Sequence, residues 1–183
     1  MKILRLELEG LVVIEPQVYR DARGFFLETF QARKYKEAGL PENFVQDNHS
    51  LSLGGVLRGL HAQRRHPQGK LVRVVEGEVF DVAVDVRRGS PTFGRWEGVE
   101  LSAANKRQLW IPEGFAHGFL ALEDDTHFLY KTTDVYARDC ERSIRWDDPG
   151  IGVSWPLPAG IDAPFVAPKD AAAPPLAAAE LPG

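Results

Sequence analysis

The sequence of 183 residues contains one cysteine, Cys140, and no long apolar run. A single cysteine cannot form an intrachain disulfide, which fits a protein of a reducing compartment. No stretch approaches the ~20 consecutive apolar residues that a transmembrane helix needs. Charges interrupt the first residues, Met1–Glu7, so they lack the apolar core of a secretory signal. We therefore expect a cytoplasmic protein that does not bind a membrane.

The chain also lacks an excess of basic charge. Its 22 Lys and Arg residues stand against 26 Asp and Glu residues, which gives a formal net charge of −4. An acidic protein repels the phosphates of nucleic acids and of anionic lipids, so neither is an expected partner. Local arginines can still bind a small phosphorylated ligand. No repeat or linker divides the chain, and its length predicts one domain over residues 1–183.

Strand patterns dominate the sequence. In residues 79–87 apolar side chains alternate with Asp81 and Asp85, whose face meets either solvent or a wet barrel interior. Gly77 separates this run from the one that starts at Lys70, and it predicts a hairpin turn. Many short strands with turn residues between them predict a mainly β fold, an antiparallel barrel or jelly roll. Further strand-like segments occupy residues 11–14, 24–28, 108–111, 118–121 and 127–130.

Only short helices are expected. Thr29 is the predicted N-cap of a helix over Phe30–Ala38, and Gly39 is its predicted C-terminal stop. The alanine-rich tail, residues 170–183, predicts another short helix beyond Pro175.

The segment Gly55-Val-Leu-Arg-Gly-Leu-His-Ala-Gln63, followed by Lys70, brings reactive side chains close together. An imidazole is a common general base, and that of His61, beside the cations of Arg58 and Lys70, suits removal of a proton that leaves an anion. Strand alternation puts His61 on the face of Gly59 and Gln63. The alternative is that His61 is a structural histidine, a role that the two neighbouring cations disfavour.

A histidine base needs a carboxylate that fixes its tautomer and stabilises the imidazolium. Spacing alone does not choose among the candidates. They are Asp81, Asp85 and Asp170. His117 either lies at a site where a ligand approaches Gly118 or is a hydrogen-bonded residue of a turn. Tyr130 is either a packing aromatic or a phenolic acid that donates a proton.

Other residues suit ligand binding, and each also suits a solvated loop or simple packing. Arg23 can make a forked contact to a phosphate, and Tyr136 can stack on a base. Gln46 and Asn48 can bind hydroxyl groups or amide edges. No metal is expected, because metal-binding barrels bring two histidines from positions i and i+2 of one strand, and Gln63 follows His61 at that spacing.

These residues occur in the order of a known family. The chain closely resembles the dTDP-4-dehydrorhamnose 3,5-epimerases from residue 15 to residue 170. The resemblance is carried by the motifs Asp-Ala-Arg-Gly-Phe-Phe (21–26), Phe-Val-Gln-Asp-Asn-His-Ser (44–50), Val-Leu-Arg-Gly-Leu-His (56–61), Gln-Gly-Lys-Leu-Val (68–72), Gly-Glu-Val-Phe-Asp-Val-Ala-Val-Asp (77–85), Ser-Pro-Thr-Phe-Gly (90–94), Ile-Pro-Glu-Gly-Phe-Ala-His-Gly-Phe (111–119) and Phe-Leu-Tyr-Lys (128–131).

The resemblance implies a cupin-like jelly roll and a homodimer. It further implies epimerisation of dTDP-4-dehydro-6-deoxy-D-glucose at C3 and C5, which gives dTDP-4-dehydro-L-rhamnose. The C4 ketone acidifies both C–H groups, and loss of either proton leaves an enolate. A cation near that oxygen is needed, whereas a cofactor is not.

Roles are implied residue by residue. His61 would be the base, with Asp170 to orient it, and Tyr130 would be the acid on the other face of the sugar. Lys70 would neutralise the enolate oxygen, and Tyr136 would stack on thymine. The remaining implied contacts are Arg23 and Arg58 to the phosphates, Glu28, Gln46, Asp47 and Asn48 to the nucleotide, and His117, Glu141 and Lys169 to the ligand.

Three other functions compete with the double epimerase. A single-centre epimerase would act at C3 or C5 alone, and relatives of that kind alter the placement of the acid. A metal-dependent cupin oxygenase would contain a stoichiometric transition metal. A binding module would take up the nucleotide sugar without exchanging its protons.

Overall fold

Strand pairing dominates the architecture of the computed structural model, which describes residues 1–181. A first sheet of six strands has the order β1-β2-β10-β7-β12-β5 and is antiparallel throughout. Its strands are β1 (Lys2–Arg5), β2 (Val12–Glu15), β5 (Gln46–Ser52), β7 (Lys70–Glu76), β10 (Gln108–Ile111) and β12 (Thr126–Thr132).

The second sheet has the order β13-β6-β11-β8-β9, and a short strand, β14, pairs with β6 in parallel. Its strands are β6 (Val56–Gln63), β8 (Glu78–Asp85), β9 (Trp96–Ser102), β11 (Phe115–Ala121), β13 (Glu141–Ser143) and β14 (Phe165–Val166). A separate hairpin joins β3 (Val18–Asp21) to β4 (Gly24–Leu27). This mainly antiparallel β architecture confirms the predicted fold class.

The two sheets pack face to face around an apolar core. Val72, Leu109 and Phe128 of the first sheet meet Val79 and Phe119 of the second, and each is at most 4% exposed. The alternation in β8 is as expected, and the face that carries Asp81 turns inward, beside Val79 and Ala83. Asp81 therefore faces the protein interior and not solvent.

Both outer faces are covered as well. The helix α1 (Ala32–Glu37) covers part of the first sheet, where Tyr35 packs with Ile14 and Trp110. The chain beyond residue 143 covers the second sheet, where Ile144 and Ile151 pack on Val82. This covering segment includes α2 (Pro168–Ala171) and one turn of 3₁₀ helix at Leu176–Ala178; another such turn lies at Arg138–Cys140. Among the described residues no helix is long and apolar enough to cross a bilayer.

The prediction of a hairpin turn at Gly77 is wrong. Strands β7 and β8 belong to different sheets, and Gly77 carries the chain from one to the other. Its φ of +74° lies in the left-handed region, and a Cβ at this position would lie 2.9 Å from the Cα of Thr126. Two apolar strands joined by one glycine resemble a hairpin in sequence, because the choice of pairing partner is not encoded locally.

The first helix is shorter than predicted. Its N-cap is Gln31 and not Thr29, because the side chain of Gln31 accepts the N–H of Lys34. The carbonyl of Thr29 instead accepts hydrogen bonds from Tyr35 and Gln108. The turn at Leu176–Ala178 fits the prediction of a short helix beyond Pro175, whereas residues 182 and 183 of the predicted tail lie outside the described residues.

Gly77→Ala should lower the free energy of unfolding by about 2–4 kcal/mol, because alanine adds left-handed strain and a clash with Thr126. Gly89→Ala is the matched control. Gly89 also has a positive φ of +84°, but a Cβ there meets nothing within 4 Å, so only about 1 kcal/mol of strain is expected. Urea unfolding of both variants measures the difference, and equal losses would contradict the importance of the sheet crossing.

Candidate active site

A cavity of about 480 Å³ opens between the two sheets, at the end of the sandwich where polar side chains replace the apolar core. Ten of the fourteen predicted site residues line it. They are Asn48, Arg58, His61, Lys70, His117, Tyr130, Tyr136, Glu141, Lys169 and Asp170.

The imidazole of His61 is held by a buried carboxylate. Its Nε2 lies 2.7 Å from Oδ1 of Asp170, whose side chain is 3% exposed. Burial alone would raise the pKa of Asp170, but the hydrogen bond and charge of His61, the N–H of Gly59 and the charge of Lys169 together lower it. Among the three aspartates that the sequence left open, Asp170 therefore contacts His61. A proton on Nε2 leaves Nδ1 as the basic nitrogen.

A β-bulge turns Arg58 into the same cavity. In the pairing of β6 with β11, His61 lies opposite His117 and Arg58 lies opposite Phe119, so three steps of β6 match two of β11. Simple alternation would put Arg58 and His61 on opposite faces, and the bulge is what brings the two side chains to one cavity, as expected from the sequence. Gly59 permits the bulge with a φ of +119°, where a Cβ would lie 2.5 Å from the Cα of Gly118.

A glycine is needed at position 118 for the same reason as at position 59, which is the close approach of the two strands. A Cβ at Gly118 would lie 2.7 Å from the carbonyl oxygen of Arg58. The close neighbour of this glycine is thus the backbone of β6.

Lys70 is a buried cation at the start of β7. It is 9% exposed, and burial lowers its pKa to about 8 against the opposing charges of Asp81 and Glu141. A lysine with this pKa is still mostly protonated at neutral pH. It therefore places a poorly solvated positive charge at the cavity wall.

Asp81 of β8 is bonded to His117 and not to His61. Nε2 of His117 lies 3.0 and 2.9 Å from the two carboxylate oxygens. Burial lowers the pKa of His117, as do the nearby charges of Lys70 and His61, although Asp81 opposes the shift. Asp85 is used elsewhere, since its carboxylate accepts hydrogen bonds from Arg87, Ser90 and Thr92.

Tyr130 lies on the opposite sheet from His61. It belongs to β12 of the first sheet, where it pairs with Val72 and Asn48, whereas His61 belongs to β6 of the second sheet. Burial raises the pKa of its phenol, so the hydroxyl stays protonated at neutral pH. An imidazole and a protonated phenol thus lie on facing walls of one cavity, an arrangement that can remove a proton from one face of a carbon and return one to the other.

The open end of the cavity holds a connected polar network. The carboxylate of Glu141 accepts hydrogen bonds from Tyr136 at 3.1 Å and from Lys169 at 3.0 Å, and it lies 4.0 Å from Nδ1 of His61. Burial alone would raise the pKa of Glu141, but these neighbours lower it. Glu141 is therefore a carboxylate that lies between the imidazole of His61 and the hydroxyl group of Tyr136.

Two buried polar atoms of the described residues have no hydrogen-bond partner, and both belong to cavity-lining residues. They are Nδ2 of Asn48 and Oγ of Ser50. Unpaired buried donors are costly, so they mark positions where a ligand can bind. Ser50 is not among the site residues predicted from the sequence, although its position two residues after Asn48 puts it on the same face of β5.

Four predicted residues do not line the cavity of their own chain. Arg23 pairs with Asp21 at the tip of the β3–β4 hairpin, and Glu28 pairs with Lys34. Asp47 points away from the cavity and binds Lys131 on the outer face. Gln46 binds the side chain of Asn48 and the backbone N–H of Tyr136, so it supports residues that line the cavity.

No group of three or more His, Cys, Asp or Glu side chains within residues 1–181 is arranged to hold a metal ion. His66 lies apart from His61 and His117, beside Asp134, with a side chain that is 63% exposed.

Comparison with known proteins identifies the family. A family model described as dTDP-4-dehydrorhamnose 3,5-epimerase matches residues 5–178. The chain belongs to this family. A dTDP-4-dehydrorhamnose 3,5-epimerase of Pseudomonas aeruginosa is 58% identical over 171 residues, which cover 93% of each chain.

Solved structures of relatives carry ligands. An epimerase of Legionella pneumophila in complex with dTDP-4-keto-L-rhamnose is 52% identical with a TM-score of 0.94, covering 99% of this chain and 97% of its own. A 3'-monoepimerase of Streptomyces bikiniensis in complex with dTDP-quinovose is 37% identical with a TM-score of 0.87, covering 94% and 86%. The similar structures thus include both a 3,5-epimerase and a 3'-monoepimerase.

Lys70→Met should raise the free energy of unfolding of this family member at pH 7 by about 1–3 kcal/mol, because a buried charge is removed. The pKa of Lys70 is about 8 in the folded protein and ordinarily 10.5. Between these values the unfolded chain binds more protons, so the native protein gains stability as the pH rises and the advantage of methionine shrinks.

Chemical unfolding of both proteins at pH 7 and pH 10 measures this effect. Lys2→Met is the control, because Lys2 is exposed and its loss should change stability by about 0.5 kcal/mol or less. A less stable Lys70→Met variant at pH 7 would mean that Asp81 fully offsets the cost of burial.

Proposed function

We propose that this protein inverts dTDP-4-dehydro-6-deoxy-D-glucose at C3 and C5 to give dTDP-4-dehydro-L-rhamnose. The observation that carries the proposal is the pair of facing walls, with His61 and Asp170 on one side and Tyr130 on the other, and with Lys70 on the same sheet as Tyr130. An isomerase of the identified family needs such an arrangement, because each inversion removes a proton from one face and returns one to the other.

In the proposed mechanism Nδ1 of His61 takes the proton from the carbon next to the C4 ketone. The C–H electron pair moves into the C3–C4 or C4–C5 bond, and the ketone oxygen becomes an enolate oxygen. The ammonium of Lys70 stabilises this charge in a site where little water screens it. Asp170 stabilises the imidazolium that forms. Tyr130 then donates its hydroxyl proton to the opposite face of the same carbon.

The remaining cavity residues would bind the nucleotide. Arg58 supplies a guanidinium for a phosphate, and it is held in place by its hydrogen bonds to Ser52 and the carbonyl of Leu51. Tyr136 is half exposed at the mouth, where a thymine ring can stack on it. Lys169 and His117 complete the polar wall around the sugar and the diphosphate.

We propose a homodimer in which the β3–β4 hairpin of one protomer reaches the cavity of its partner. The hairpin exposes Tyr19, Phe25 and Phe26, each by more than half, which is typical of an interaction surface. Arg23, with a 91% exposed side chain, lies outside the cavity of its own chain. A partner's cavity would give both Arg23 and Glu28 the nucleotide contacts that the family resemblance implies.

We also propose that the reaction takes place in the cytoplasm. The only cysteine, Cys140, is buried and forms no disulfide, which suits a reducing compartment. The acidic net charge gives no support to a nucleic acid or membrane partner, whereas the local guanidinium of Arg58 suits the diphosphate of a small nucleotide sugar.

Proton NMR of the substrate in D2O tests the function. Deuterium should enter C3 and C5, and a rhamnose-forming reductase should trap the doubly inverted product. Deuterium at one carbon alone would favour the single-centre reaction of the monoepimerase relative. Binding of dTDP with no exchange at either carbon would mean that the protein is a binding module and not an epimerase.

His61→Ala should slow exchange at both carbons by ~10³-fold or more, because general-base catalysis of this size is lost. The Kd for dTDP should stay within about twofold, since the nucleotide contacts remain. Exchange rates from NMR and calorimetric titration with dTDP measure the two effects. Substantial residual turnover would overturn the assignment of His61 as the base.

Tyr130→Phe should slow inversion more than it slows exchange. His61 can return deuterium to the face from which it took the proton, whereas the opposite face loses its donor. Comparison of deuterium uptake with trapped product measures the ratio, and Tyr35→Phe, which removes a buried hydroxyl outside the cavity, is the control. Equal losses of exchange and inversion would assign Tyr130 to packing.

Co-expression of Arg23→Ala with His61→Ala tests the shared site. If Arg23 crosses to the partner, mixed dimers contain one cavity with both residues intact, and activity should recover above that of either variant alone. Sedimentation measures the dimer. No recovery in verified mixed dimers would show that Arg23 does not act across the interface.

A further inference from the structure

The segment that carries Tyr136 has no regular structure, yet its backbone is firmly bonded. Residues 133–137 follow β12 and form neither helix nor strand. Backbone N–H and C=O groups need partners when they leave a sheet. Here the amide side chains of three glutamines supply them. They are Gln46, Gln63 and Gln68.

Gln63 makes the largest share of these bonds. Its side chain is buried on β6, and its Oε1 accepts the N–H of Ala137 at 2.6 Å. Its Nε2 donates to the carbonyl of Val135 at 3.2 Å and to that of His66 at 2.6 Å. One carboxamide therefore holds the residue before Tyr136 and the residue after it.

The other two glutamines hold neighbouring groups. Gln46 accepts the N–H of Tyr136 at 2.8 Å, and Gln68 donates to the carbonyl of Asp134 at 2.8 Å. The ring of Tyr136 then reaches Glu141, which pairs with Gln63 in the register of β13 with β6. The backbone beside Tyr136 is thus bonded to Gln63 of β6, and the ring is bonded to Glu141, which pairs with β6. Both are positioned by the strand that carries His61.

We propose that Gln63 is a positioning residue for nucleotide binding, which acts by fixing the backbone on both sides of Tyr136. The inference rests on the proposed role of Tyr136 in stacking on the base. A ring that is already held in its binding position avoids the entropy cost of ordering a loop when the nucleotide arrives. Gln63 lines the cavity, but both ends of its carboxamide are bonded to backbone groups, so its loss should weaken binding and leave the chemical step nearly intact.

Gln63→Met keeps the length of the side chain and removes all three hydrogen bonds. We expect the Kd for dTDP and the KM for the substrate to rise about tenfold, with kcat within about threefold of wild type. Thr126→Val is the matched control. It removes a buried hydroxyl hydrogen bond at the far end of β12, so it should lower the Tm by a few degrees without changing the Kd.

A double-mutant cycle identifies the route of the effect. If Gln63 acts through Tyr136, then Gln63→Met should change the Kd by less than about twofold when Tyr136→Ala is already present. Additive losses would overturn the proposal, and so would an unchanged Kd in Gln63→Met. A fall in kcat at unchanged Kd would also overturn it, because Gln63 would then act on His61.

Gln63→Glu provides a second test of the proposal if the Gln63→Met variant fails to fold. Two facing carbonyls raise the pKa of a glutamate at this position, and its protonated form regains one donor. The Kd for dTDP relative to wild type should therefore be worse at pH 8 than at pH 5.5. An equal ratio at both pH values would count against the proposal. A wild-type protein that neither binds dTDP nor exchanges substrate protons would instead contradict the proposed function itself.

Discussion

Face-to-face packing of two β-sheets is the constraint on which the rest of this structure depends. Each strand sends alternate side chains into one shared interior, so residues from strands distant in sequence meet there. Much of this interior is apolar, around residues such as Leu101 and Leu109. Where it widens into a cavity, Phe119 and Phe128 are among the lining residues, and the two walls come from different sheets. Chemistry on opposite faces of one substrate carbon follows from this geometry.

The polar end is costly for the fold and useful for the reaction. Lys70 keeps its ammonium in a buried position, where burial lowers its pKa to about 8. Asp81 is fully buried between this cation and His117. Poor solvation destabilises such charges in the resting protein, but it would also strengthen the attraction between the Lys70 ammonium and the proposed enolate. The surrounding apolar core, which both sheets share, keeps these groups in place.

The C-terminal segment completes the site from outside the sheets. Asp170 and Lys169 lie on the short helix α2, which packs beside β6. The following chain is anchored by the hydrogen bond of Leu176 N–H to the buried Asp148 and by the contacts of Glu180 with Arg64 and Arg142. These anchors explain why a helix of one turn can hold a carboxylate at 2.7 Å from the imidazole.

The sequence by itself determined the β class, the inward or outward alternation in β8 and ten of the cavity-lining residues, because these depend on local periodicity and on motifs. Local spacing left the aspartate partner of His61 open, and only the family resemblance implied Asp170; the tertiary structure decided this contact, which spans 109 residues. It also decided that Arg58 and His61 share a face, through a bulge, and that Gly77 joins two sheets. Register, bulges and sheet partners depend on long-range packing, which no local pattern encodes.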